Sequence, residues 1–213
     1  MELKFIHITK CAGTSIEDAG KKQNILWGRF HTEYNINDPI ETRAPWHKLF
    51  PLLDSSIINK YDWFTVVRNP YDRILSEYYC NHTGINSYKL KPTSYKVEHN
   101  KEQMNVYLIG KILNRSNKGG HFVEQYKYLH PTKKIHILKF ENLNEELTKL
   151  TNTYNISNIE LVKVNERSTD DDINLFTVGD FSDELILLIN TVYAKDFSTF
   201  GYKMINRDAK ILL

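Results

Sequence analysis

Hydrophobic and polar positions along the chain alternate between two rhythms. Short runs rich in β-branched and aromatic residues occupy residues 3–8 (LKFIHI), 63–67 (WFTVV) and 135–140 (IHILKF), with a weaker one at 161–164. Runs of this kind predict strands. Stretches with apolar residues three or four apart follow three of them, at 14–22, 70–80 and 143–154, and predict helices. A longer helical pattern covers 102–113, where Met104, Tyr107, Leu108 and Ile112 share a face. Another covers 182–195, opened by Ser182 as an N-cap with acids behind it. Strands alternating with helices predict an α/β fold with a central, mainly parallel sheet flanked by helices in three layers. Strand order does not follow from this pattern. The polar segment 87–100 reads as a long loop or insertion, Gly119-Gly120 after Lys118 as a joint, and 169–172 as a solvated loop.

Composition narrows the partners. At 213 residues the chain is expected to form one domain that buries its core without staples. Lysine and arginine number 28 against 26 acids, a net charge of +2. No global field recruits nucleic acid or membrane, so a local cluster must hold any anionic ligand. Two cysteines, Cys11 and Cys80, make neither a disulfide framework nor a metal site. No leader pattern opens the chain and no apolar stretch approaches the ~20 residues that span a bilayer. The expected location is therefore cytoplasmic, and the triplets at Asn81, Asn114 and Asn155 are expected to be chance glycosylation matches. Oligomeric state is not legible.

The first strand runs into residues 9–15 (TKCAGTS) and then a helix. In parallel α/β sheets ligands gather at the carboxyl ends of strands. The unpaired N–H groups at a helix start, with the helix dipole, suit a tetrahedral oxyanion. Ala12 and Gly13 let backbone approach closely, Thr14 and Ser15 add hydroxyls, and Lys10 supplies a point charge. The nucleotide-kinase pattern G-x-x-x-x-G-K-[ST] is absent, because Lys10 precedes Gly13 and no earlier glycine exists. By itself the stretch is equally compatible with a surface lysine on a strand–turn–helix.

A second stretch, residues 64–79 (FTVVRNPYDRILSEYY), places Arg68 at a strand tip. Asn69-Pro70 supplies an N-cap and a proline at the first helical position. Ile74, Leu75 and Tyr78 form the packing face, while Ser76 lies on another. Arginine's planar fork suits phosphate. Alone, Arg68 reads more readily as the partner of Asp72 or of a C-terminal acid; two oxyanion anchors on consecutive strands are harder to obtain by accident.

These two stretches resemble the sulfotransferases, in the branch of carbohydrate O-sulfotransferases and their bacterial and viral relatives. FIHITKCAGTSI (5–16) is similar to the family's 5′-phosphosulfate loop, H-x-P-K-x-x-G-T-S, departing at Thr9 (usually proline) and Ala12 (usually glycine). VVRNPYDRILSEYY (66–79) is similar to its 3′-phosphate motif, V-R-N-P-x-D-R-x-x-S-x-Y. HFVEQYKYL (121–129) resembles H-F-x-P-Q-x-x-Y-L with Glu124 in place of proline, ILKFENL (137–143) the strand-turn that follows, and YAKDFSTFGY (193–202) the closing Y-x-x-D-F-x-x-F-G-Y.

The resemblance implies a P-loop-like fold and a donor, 3′-phosphoadenosine 5′-phosphosulfate (PAPS), that leaves 3′,5′-bisphosphoadenosine (PAP) as product. Lys10 and the backbone of Ala12, Gly13, Thr14 and Ser15 are expected to hold the phosphosulfate, and Arg68 and Ser76 the 3′-phosphate. Lys10 would neutralise charge on the bridging oxygen as sulfuryl leaves. No metal is required. The family places a base histidine between the two anchor motifs, where this chain has His31 (WGRFHTEY) and His47 (APWHKLF). A neutral imidazole near pH 7 suits that task. His47 is favoured, since Trp46, Leu49 and Phe50 flank it, and His31 is assigned to orienting the acceptor. His121 and Gln125 are assigned to the acceptor or the base, and His7 to supporting the loop. The acceptor is expected to be a carbohydrate hydroxyl. Two other readings remain open here: an ATP-dependent small-molecule kinase, or a non-catalytic nucleotide- or glycan-binding protein of the same fold.

Overall fold

The computed structural model describes residues 1–28, 47, 49–80, 100–117, 119–157, 159–161 and 176–207. Three parallel strands, β1 (Leu3–Ile6), β2 (Asp62–Val67) and β3 (Ile135–Lys139), form a sheet in the order β1-β2-β3. Leu3–Ile6 pairs with Asp62–Thr65, and Trp63–Val67 with Ile135–Lys139. With the strands aligned in parallel, all three carboxyl ends emerge along one edge. Seven α-helices occur among the described residues: α1 (Gly13–Lys22), α2 (Ser55–Lys60), α3 (Pro70–Tyr78), α4 (Lys101–Leu113), α5 (Leu143–Thr153), α6 (Asp183–Val192) and α7 (Ala194–Phe200). The α/β class with a parallel sheet and flanking helices is the one expected.

Contacts divide the chain into two compact units. The first, Met1–Arg68 with Asn117–Glu166, holds β1, β2 and β3 and α1, α2 and α5. Central β2 is buried along five of its six residues, and Phe5, Trp63, Phe64, Val66 and Val67 are wholly enclosed. Even Lys4, inside β1, is buried; its ammonium donates to the Leu26 carbonyl (2.9 Å) and pairs with Glu2 (2.5 Å). Beyond β1, the N–H of Phe5 is taken by the Trp27 carbonyl (3.0 Å). Strand β3 is the more open edge, with Ile137 exposed.

The second unit, Asn69–Ser116 with Arg167–Leu213, contributes α3, α4, α6 and α7. Its helices are joined by side chains reaching into backbone. Asn105 on α4 accepts from Ser182 N–H (2.7 Å) and donates to the Asp180 carbonyl (3.1 Å). The Tyr71 hydroxyl meets Asn190 and accepts from Ile205 N–H (2.8 Å).

Two expectations change in detail, and one helix has no counterpart in the sequence pattern. The first strand ends at Ile6 rather than residue 8, because the ring of His7 is taken up by Glu17 on α1. The predicted helix 182–195 divides at buried Tyr193 (φ −101°, ψ 18°), which departs from helical geometry before α7 begins. Helix α2 had no periodic signal, being six residues long behind the Asp54 cap. The weak strand at 161–164 lies outside the described residues apart from Leu161, as do 169–172, Lys118 and nearly all of 87–100. No helix among the described residues is long and apolar enough to cross a membrane.

Candidate active site

The candidate residues gather beyond the carboxyl ends of the strands. After β1 the backbone turns left-handed at Lys10 (φ 61°) and again at Ala12 (φ 62°), and Gly13 opens α1. A left-handed residue followed by a helical one turns successive N–H groups to the same side, making a concavity that suits an anion. Each such non-glycine residue costs about 1–2 kcal/mol, a strain that collects at functional sites. Helix α1 leaves its first turn open. No side chain caps its first turn and no acid lies in it. By contrast α2, α3, α4 and α6 are capped by Asp54, Asn69, Asn100 and Ser182. Lys10 and Ser15 are half-buried and Thr14 is exposed.

Arg68 lies one residue beyond β2. Its Nη1 donates to the Lys10 carbonyl (3.3 Å), and its guanidinium stacks on the Phe140 ring, 4.1 Å from the centroid. The two predicted anchors are thus joined within one unit: the arginine fork touches the loop that carries the lysine. Backbone and side chain of Arg68 are both held. Gln125, wholly buried, accepts from the Arg68 N–H (2.9 Å) through Oε1 and donates from Nε2 to the Arg68 carbonyl (2.9 Å). The Cys11 thiol donates to the same Oε1 at 3.4 Å. Ser76 belongs to the second unit, half-buried on α3, where Asn69 caps the helix by accepting from Tyr71 N–H (3.0 Å).

Three imidazoles gather next to the loop. His47 lies edge-on to His7 (centroids 4.6 Å apart) and perpendicular to His121 (6.0 Å). Burial first, and then repulsion by the imidazoles of His7 and His121, push the His47 pKa down to about 2. Its ring is therefore neutral throughout the physiological range. At the other side of His7, Nδ1 bonds Glu17 Oε1 (2.9 Å), both residues being buried. Two glycines make room for this dyad. A Cβ on Gly13 would come within 2.1 Å of His7 Nε2, and one on Gly28 within 2.2 Å of Glu17 Oε1. Buried Tyr128 fastens the third side: its hydroxyl accepts from Gly120 N–H (2.8 Å) and donates toward the His47 carbonyl (3.2 Å). His31 lies outside the described residues.

Sequence reasoning brought Lys10, Ala12–Ser15, Arg68, His47, His121 and Gln125 to this region, and the first unit assembles them. It missed Glu17, Tyr128 and Phe140, and gave His7 only a supporting part. The one signal pointing to the dyad is Gly13, a residue that leaves space for a ring six positions before it.

A family model described as Sulfotransferase family matches residues 2–203, which takes in both strand-end loops and the histidine-bearing segments. No curated protein and no solved structure matches the chain. Since the match covers nearly the whole sequence, the chain belongs to the sulfotransferase family, whose chemistry is sulfuryl transfer.

Proposed function

We propose that the chain moves the sulfuryl group of PAPS onto an acceptor hydroxyl with His47 as the base, both units acting as one sulfotransferase domain. The observation that carries the reading is the contact of the Arg68 guanidinium with the Lys10 loop, which sets two cationic groups at adjoining strand ends. The donor supplies an activated sulfuryl group between two separate anionic ends. The backbone of Ala12–Ser15 and the Lys10 ammonium hold the phosphosulfate end, where left-handed backbone and an uncapped helix suit it. Arg68, with Ser76, holds the 3′-phosphate, a group that ATP lacks.

Positioning and charge stabilisation carry such transfers. Lys10 offsets negative charge on the leaving oxygen. Neutral His47 accepts the acceptor's proton, and an anion held at Lys10 opposes the depression of its basicity by burial and by the other two imidazoles. His121 lines the acceptor side next to His47, and His31 orients the acceptor. That the acceptor is a carbohydrate is supported by the motif set, which resembles that of the carbohydrate branch.

Thermal shift tests the donor. A saturating ligand at 100 times its Kd adds about 2.7 kcal/mol, or roughly 5–10 °C for a chain of this size. PAP is expected to give that shift and ATP with magnesium a smaller one; the reverse order overturns the reading. Arg68→Ala is expected to weaken PAP binding about 10–100-fold. His47→Ala is expected to leave PAP binding within about twofold while slowing transfer by about 10²–10⁴.

A further inference from the structure

Arg68 occupies an awkward position for a binding residue. The β2–β3 ladder ends at Val67, paired with Lys139, and the chain turns into α3 at Asn69-Pro70. Past the ladder, the N–H and C=O of Arg68 have no strand to bond. A buried backbone pair left without partners costs more than a hydrogen bond returns. Here the primary amide of Gln125 takes the place of a neighbouring peptide unit, with both bonds at 2.9 Å. Only asparagine and glutamine offer a donor and an acceptor side by side in this way. Oε1 also receives the Cys11 thiol (3.4 Å), from the loop between Lys10 and Ala12.

We propose that Gln125 is a positioning residue for the donor, not a contact of the acceptor: its amide fixes the strand tip that aims Arg68 and ties that tip to the loop carrying Lys10. The inference rests on the proposed function and deepens it. Two features favour positioning over general packing. The amide engages both backbone groups of Arg68, the arginine assigned to the 3′-phosphate, and a further bond goes to the loop assigned to the other end of the same donor. Gln125 itself is fully enclosed, which places it out of an acceptor's reach.

The test is the preference for a 3′-phosphate, read as the ratio of Kd for adenosine 5′-monophosphate to Kd for PAP on the full chain by calorimetry. Gln125→Met keeps the volume and removes the amide that makes these bonds; Gln125→Asn keeps the amide but draws it back by one methylene. Both are expected to lower the wild-type ratio about tenfold, in line with the loss of the two hydrogen bonds that hold Arg68. Arg68→Ala removes the ratio directly, and adding Gln125→Met to it is expected to change the ratio by less than twofold, because the glutamine acts through the arginine. A wild-type preference that survives in the folded Met or Asn variant overturns the inference and leaves the proposed function standing. An additive loss in the double variant also overturns it. A wild-type chain that binds both nucleotides alike overturns the function and the inference together.

Discussion

Two departures from the family pattern make physical sense once single dihedrals are considered. Ala12 stands where the family usually has glycine, and its φ of 62° is the left-handed value that glycine adopts without strain. Glu124 stands where proline is usual, and its φ of −62° is the proline value. The conformations are kept while the residues that favour them are not. Ala12→Gly is therefore expected to stabilise the protein by about 0.5–1 kcal/mol, the relieved strain outweighing the added freedom of the unfolded chain. Chemical denaturation checks it. Gly13→Ala is expected to act oppositely, losing about 2–3 kcal/mol, because its methyl would overlap the His7 ring that Glu17 holds in place. A combined Gly13→Ala and His7→Ala variant should recover part of that loss. Motif residues such as Lys10 and Arg68 were legible singly; the reason for Gly13 was not, since it lies in the ring of His7, just past the end of β1.

Among the elements, α1 differs from its neighbours in having neither a capping side chain nor an acid in its first turn. Thr14→Asp would supply the missing charge. It is expected to stabilise the helix by about 0.3–1 kcal/mol while weakening PAP binding about tenfold, since the carboxylate competes for the same dipole and N–H groups. Opposite movement of melting temperature and affinity is the signature to measure. Elements with strong local signals were read within two residues of their ends: α3 from Asn69-Pro70, α5 from its apolar spacing, α4 from its shared face. Local signals failed where a tertiary contact decided. β1 stops at Ile6 because Glu17 draws His7 away, and α6 ends because Tyr193 is buried. Six-residue α2 is too short for a period to emerge.

At the scale of the molecule, a net charge of +2 means that anion binding depends on local arrangement and little on the overall field. The buried histidine cluster leaves a global trace in stability. The folded pKa of His47, about 2, lies below its ordinary 6.5, so between those values the unfolded chain binds more protons than the folded one. Stability contributed by neutral His47 is thus complete above pH 6.5 and is lost as pH falls toward 2, at no more than about 1.4 kcal/mol per pH unit. Between pH 6.5 and 5, wild type is expected to lose about 1–2 kcal/mol more than His47→Gln; parallel denaturation curves at both pH values would contradict it.

The sequence by itself determined the alternation of strands and helices, the two motif-bearing stretches and the family they point to, because each is written in neighbouring residues whose spacing sets backbone geometry. Tertiary structure alone decided the strand order β1-β2-β3, the meeting of Arg68 with the Lys10 loop, the gathering of His7, His47 and His121, and the reach of Gln125 across 57 residues to the tip of β2. Those contacts join segments distant in the chain. Their partners are selected by burial and by the need to satisfy enclosed polar groups, which no local pattern encodes.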